Sequence, residues 1–104
     1  AMIAIAKDAR IKVLLGAIPP ASSFYWNPAA TPRDAIINCN RLLQTLAREN
    51  RIGWIDYHAI LNDGAGGLAK NYGRDGVHPE ADGYEAMERT TLPAIRKTLA
   101  KSRG

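Results

Sequence analysis

The chain has a single cysteine, Cys39, in 104 residues. A lone thiol excludes an internal disulfide and any metal site built from cysteines alone. Cys39 is therefore expected as a small buried apolar side chain. Histidine is nearly as scarce, with only His58 and His78. His58 sits beside Asp56 and Tyr57 without a second His or Cys nearby, so it reads as a surface or helix-start residue, and no metal or cofactor is expected. No apolar run is long enough to span a bilayer, and no signal peptide is recognisable. Nor does any aromatic-basic RNA motif accompany the net charge of +4. The cations are scattered from Lys7 and Arg10 to Lys101 and Arg103, which argues against specific nucleic-acid binding. Arg96, Lys97, Lys101 and Arg103 read instead as cations at the negative end of a final helix. Repeats and low-complexity tracts are also missing. The balance of 46% hydrophobic and 23% charged residues is that of one small soluble globular unit with a modest core.

Met2, Ile5, Ala6 and Ala9 recur at helical spacing opposite Lys7, Asp8 and Arg10, which predicts the end of an amphipathic helix over residues 1–10. The chain opens on Ala1-Met2-Ile3-Ala4-Ile5-Ala6, already inside that pattern, and reads as a start within a helix. Ile11 to Ile18 is a branched, nearly continuous apolar run ending at Pro19-Pro20, the pattern of a parallel strand buried on both faces. Residues 19–31 form the longest irregular stretch and hold Phe24, Tyr25 and Trp26. A loop after a buried parallel strand is where α/β sheets bind ligands, so these rings are expected to wall a substrate site.

Thr31-Pro32-Arg33-Asp34 reads as a helix start, with Thr31 as cap and Pro32 first in the helix. Ile36, Cys39, Leu43, Leu46 and Ala47 form its apolar stripe, and Arg41, Gln44, Arg48 and Glu49 face water. Ile52 to Asp56 is a second short strand, and Asp56 can cap a short helix from Tyr57 to Leu61. Asn62 to Gly67 is turn-rich, with Leu68 and Tyr72 expected to pack beneath the turn at Asp75. Pro79-Glu80-Ala81-Asp82 opens the last helix, which turns Tyr84, Met87, Leu92, Ile95 and Leu99 toward the sheet. Pro93 is expected to bend or restart it. This order of elements predicts an α/β layered fold with parallel strands joined by crossovers.

The chemistry concentrates in Asp75-Gly76-Val77-His78-Pro79. A carboxylate three residues before an imidazole, in a turn relaxed by glycine, can accept a hydrogen bond from one ring nitrogen. That fixes the tautomer and leaves the other nitrogen able to take a proton. Taken alone, an Asp-x-x-His turn is more often a cap or a surface turn.

Together with Gly83-Tyr84 and Met87, this segment resembles the Asp-x-x-His-Pro motif of the SGNH (GDSL) hydrolases, a family of serine esterases and lipases. The resemblance covers essentially the whole chain, read as a single partial domain over residues 1–104 that is similar to the C-terminal half of such an enzyme. It implies a three-layer α/β/α, flavodoxin-like fold with a parallel sheet, of which this portion carries two strands and flanking helices. Residues 11–18 would correspond to the fourth strand and residues 52–56 to the fifth. It further implies an acyl-enzyme mechanism on a small ester, with His78 as general base, Asp75 as its orienting acid, and Val77 in the turn beside the pocket. The family's Gly-Asp-Ser nucleophile segment does not occur here, nor do the Gly and the Gly-x-Asn residues of its oxyanion hole. Ser22 and Ser23 lack that context, and Asn27, Asn38, Asn40 and Asn62 match no oxyanion motif. Without a nucleophile and oxyanion donors, the isolated chain is expected to be inactive.

Two strands cannot close a sheet, so the remainder is expected from an N-terminal half, a second copy exchanging elements, or upstream sequence. The alternative is a non-catalytic binding or assembly module that uses the Phe24-Tyr25-Trp26 loop.

Overall fold

The computed structural model describes residues 1–100, so the expectations for Lys101 and Arg103 lie outside the described residues. In order, the elements are α1 (Met2–Asp8), β1 (Leu14–Gly16), α2 (Arg33–Glu49), β2 (Gly53–Ile55), α3 (Tyr57–Leu61) and α4 (Ala81–Ala100). β1 and β2 pair in parallel with Leu14 opposite Gly53, Leu15 opposite Trp54 and Gly16 opposite Ile55. A parallel pair needs a crossover of a dozen or more residues, and α2 supplies it.

Alternation along β2 separates the two faces. A Cβ at Gly53 would collide with Leu14 and come within 3.1 Å of Thr98 Oγ1 on α4. Trp54, the next residue, instead shares a surface hollow with Ile37, Asn40 and Gln44 of α2. α4 and α2 therefore cover opposite faces, in a three-layer α/β/α arrangement. Gly16 lies beneath the Tyr57 ring, where a Cβ would sit 2.7 Å from the ring edge. The Tyr57 hydroxyl lies 2.5 Å from that of Thr91, which ties α3 to α4. The tightest core is Leu61, Leu68 and Ala86, with Ile60, Tyr72 and Met87 packed around it. It lies directly behind the Asp75 turn, as expected for Leu68 and Tyr72.

Several expectations are corrected. The strands are three residues each rather than eight and five. β1 is half-buried, not buried on both faces, and Ile11 and Ile18 at the flanks of the run are exposed. Branched runs mark strands through their fit to a pleated surface, but full burial needs neighbours on each side, and β1 has only β2 among the described residues. α1 buries none of its residues, including Met2 and Ile5 of its apolar side.

Cys39 is exposed rather than buried, and Leu46 is also exposed. The stripe facing the sheet runs through Ile36, Asn40, Leu43 and Ala47, which rotates Cys39 away from it. At the start of α2, Pro32 rather than Thr31 is the cap residue, with no side-chain cap bond. Asp56 does cap α3, its carboxylate accepting from Ala59 N–H at 3.0 Å. α4 begins at Ala81, two residues after Pro79, and runs through Pro93 without a restart. Of its expected sheet-facing residues, Met87 is half-buried while Tyr84, Leu92, Ile95 and Leu99 are exposed. No helix among the described residues is long and apolar enough to cross a membrane.

Candidate active site

The Asp75 turn is a closed excursion from the end of the core to the start of α4. Its feet are joined by the Glu80 N–H donating to Tyr72 O at 2.7 Å, and an inner bond runs from Gly76 N–H to Gly73 O at 3.2 Å. Gly76 has φ +79°, the left-handed region where glycine carries no Cβ penalty. Gly73 is needed for a different reason. A Cβ there would press on Leu68 and lie 2.5 Å from the His78 carbonyl oxygen. At Gly83, a Cβ would fall 2.6 Å from the Tyr72 carbonyl. Outside the turn, Arg74 pairs with Glu80 at 3.1 Å and also donates its backbone N–H to Glu80 Oε1 at 2.9 Å. That pairing lowers the Glu80 carboxyl below its ordinary 4.5 and raises the Arg74 guanidinium.

Within this frame Asp75 accepts three hydrogen bonds. Oδ1 takes the backbone N–H groups of Val77 and His78, both at 2.8 Å, and Oδ2 takes the His78 ring at Nδ1, also at 2.8 Å. These donors hold the Asp75 carboxyl at about 2, below its ordinary 3.8, with the His78 backbone N–H the largest cause and the His78 ring next. An ionised carboxylate only accepts, so Nδ1 carries the proton that faces it and Nε2 is directed away from Asp75. The His78 side chain is 63% exposed. Val77 contributes its backbone to the turn and is half-buried.

Phe24, Tyr25 and Trp26 reach the same place from the other side of the sequence. Phe24 and Asn27 close a tight turn, with Asn27 N–H donating to Phe24 O at 3.1 Å. Phe24 stacks on Trp26 with centroids 4.7 Å apart, and Tyr25 meets Trp26 edge-on at 4.9 Å. The centroids of Tyr25 and Trp26 lie 6.5 and 6.4 Å from that of His78. The structure thus brings all the sequence-predicted site residues to one end of the sheet, beyond the C-terminal ends of β1 and β2.

A second loop backs the aromatic one. Asn62 Oδ1 accepts from Gly64 and Gly66, and Asp63 Oδ1 accepts from Ala65 and Gly67. The bonds to Ala65 and Gly67 lower the Asp63 carboxyl below its ordinary 3.8. Ser22 lies against Gly67, and Arg33 donates to Ala65 O at 3.4 Å. Nearby, His58 Nδ1 lies 3.4 Å from Asn62 Nδ2, while its Nε2 is buried without a partner among the described residues. His58 is therefore a half-buried helix-start residue at the edge of the surface hollow beside Trp54. No cluster of three or more His, Cys, Asp or Glu able to hold a metal occurs among the described residues.

Sequence reasoning missed Asn40. Its buried carboxamide accepts from Ile18 N–H at 2.7 Å and donates to Ile18 O at 3.0 Å. The signal was present: an amide on the apolar stripe of α2, at a position that packing alone would give to Ala or Leu.

The site thus consists of a parallel strand pair between helices, with an aspartate-oriented histidine beyond the carboxyl ends of its strands. Residues 1–86 match the GDSL-like lipase/acylhydrolase family, and the chain belongs to that family. Among solved structures, it resembles a candidate acylhydrolase from Bacteroides fragilis, at 37% identity and a TM-score of 0.85 over 94% of this chain and 48% of that one. It also resembles a GDSL-like lipase from Bacteroides thetaiotaomicron, at 32% identity and a TM-score of 0.84 over 92% of this chain and 48% of that one. The chain therefore spans about half the length of these structures. No curated protein matches it.

Proposed function

We propose that this chain supplies the base and orienting acid of a serine ester hydrolase. The observation that carries the reading is the 2.8 Å bond between His78 Nδ1 and Asp75 Oδ2, on an exposed His78 side chain. Nε2 takes the proton of a serine hydroxyl as that oxygen attacks the ester carbonyl. It then delivers the proton to the departing alcohol, leaving an acyl-enzyme that water releases by the same base. Asp75 stays ionised throughout and stabilises the imidazolium formed at each step. Phe24, Tyr25 and Trp26 wall the substrate side beside His78, with Val77 in the turn at its edge.

The nucleophile and oxyanion donors come from outside residues 1–104, because the sequence has no Gly-Asp-Ser segment. Ser22 and Ser23 lack that context. In this reading the chain is a partial domain, and β1 pairs on its free side with a strand of the complementary half or of a second copy. Alone it hydrolyses nothing, since an oriented base without an attacking oxygen gives little rate enhancement.

The test is hydrolysis of a chromogenic acetate ester by the chain combined with a nucleophile-bearing N-terminal half, with intact mass confirming the components. Serine-reagent-sensitive turnover that His78→Ala abolishes is expected. Turnover retained by His78→Ala would overturn the assignment. The exposure of Tyr25 and Trp26 also suits a binding face, which is the second reading. It predicts partner capture that Tyr25→Ala and Trp26→Ala weaken while His78→Ala does not.

A further inference from the structure

We propose that Asn40 is a positioning residue that holds the aromatic wall against His78. This deepens the reading of His78 as the base, and rests on it for its catalytic meaning.

The argument begins where the sheet stops. The last bond between the strands is Ala17 N–H to Ile55 O at 2.8 Å. Beyond it, β2 turns at Asp56 into α3, so Ile18 has no strand partner for either backbone polar group. Asn40 provides both bonds from one carboxamide. It does so from a buried site on the sheet-facing side of α2. One rigid amide plane thereby fixes the backbone of Ile18 in position and in direction, as a neighbouring strand would.

The residues after Ile18 transmit that direction. Pro19 and Pro20 have fixed φ and no N–H to form competing bonds. Pro20 is fully buried and Ala21 is 4% exposed. The chain then reaches the Phe24–Asn27 turn that carries the three rings beside His78. Arg33, through Ala65 O, fastens the far end. The aromatic wall is thus a strap anchored at its root by Asn40. In the completed hydrolase, a wall misplaced by on the order of 1 Å costs about a hundredfold in rate through poor orientation of the ester.

No other side chain reproduces both bonds at this distance. Leu fills the space but leaves the N–H and C=O of Ile18 unpaired. Asp accepts from the N–H but cannot donate to the carbonyl when ionised. Gln is one methylene too long.

The deciding experiment is nuclear magnetic resonance on the isotope-labelled chain, reading through-space contacts between the ring protons of Trp26 or Tyr25 and those of His78. In the unsubstituted chain these contacts are expected. In Asn40→Leu they are expected to disappear, while the contacts within the Leu61, Leu68 and Ala86 core persist. Ring contacts that persist unchanged in a folded Asn40→Leu chain overturn the proposal. Should the Leu variant give no dispersed spectrum, Asn40→Asp decides, since it removes only the bond to Ile18 O. Weakened ring contacts support the anchor, and unchanged ones overturn it. Esterase assays of the same variants in the completed hydrolase separate the two readings. Asn40→Asp is expected to lower kcat more than it raises KM. Lost ring contacts with an inactive parent enzyme leave the anchor standing while the catalytic reading fails.

Discussion

The turn from Tyr72 to Glu80 and the segment from Met2 to Ile11 are of similar length, yet they are held in opposite ways. The turn is fixed from within, by a closing backbone bond at its feet, three donors on one carboxylate, and one glycine, Gly73, with a carbonyl packed where a Cβ would stand. α1 has no buried residue and no side-chain cap, and Met2, Ile5 and Ile11 are 84%, 68% and 60% exposed. Local hydrogen bonding can thus shape a reactive pair without a large core. An amphipathic helix, in contrast, takes its stability from whatever covers its apolar side.

The sharpest test of that contrast is chemical. In the completed hydrolase, His78→Ala should lower kcat by about 10⁴-fold or more, the scale of losing a triad base, as read by steady-state ester hydrolysis. No comparable loss should follow from any substitution in α1. A second test concerns packing. Gly73→Ala forces a methyl onto Leu68 and the His78 carbonyl, and should cost about 1–3 kcal/mol, measured by urea unfolding.

Acid should discriminate the regions more gently. Because Asp75 titrates at about 2 when folded, below its ordinary 3.8, its ionised form stabilises the turn fully above about pH 4. That contribution is lost as pH falls toward 2. A shift of the Val77 and His78 amide resonances over that interval, absent in Asp75→Asn, is the expected result. The smallest effect is predicted for Ile5→Ser. With Ile5 68% exposed, unfolding free energy should move by no more than about 0.5 kcal/mol, and a larger loss in the isolated chain would show that α1 is held by its apolar side.

How much of this was legible in the sequence depends on the range of the forces involved. The Asp75–His78 bond and the Asp56 cap join residues three apart, so both are within reach of a local reading, although an Asp-x-x-His spacing alone is more often a cap or a surface turn. The two strands and α2 announced themselves through apolar patterning, and their parallel arrangement followed from the helix between them. Cys39 was misplaced because composition speaks to what a thiol prefers, whereas the phase of α2 is set by which stripe meets β2. The exposure of Leu92, Ile95 and Leu99 is not legible in the sequence, because apolar spacing marks a face without naming what covers it. The role of Asn40 is illegible for a related reason. Its partner is the backbone of Ile18, 22 residues away, and backbone acceptors carry no sequence signature.

The Asn62 loop has a consequence for a proton some distance from its own bonds. Since Oδ1 of Asn62 is taken by the N–H groups of Gly64 and Gly66, the amide cannot flip, and its NH₂ end is the one that faces His58 Nδ1. A donor there selects the tautomer with a lone pair on Nδ1 and the hydrogen on Nε2. Two glycine amides therefore choose which nitrogen of a neighbouring imidazole is the donor. Exchanging Asn62 for Asp, which presents only acceptors, would move that hydrogen to the other side of the ring.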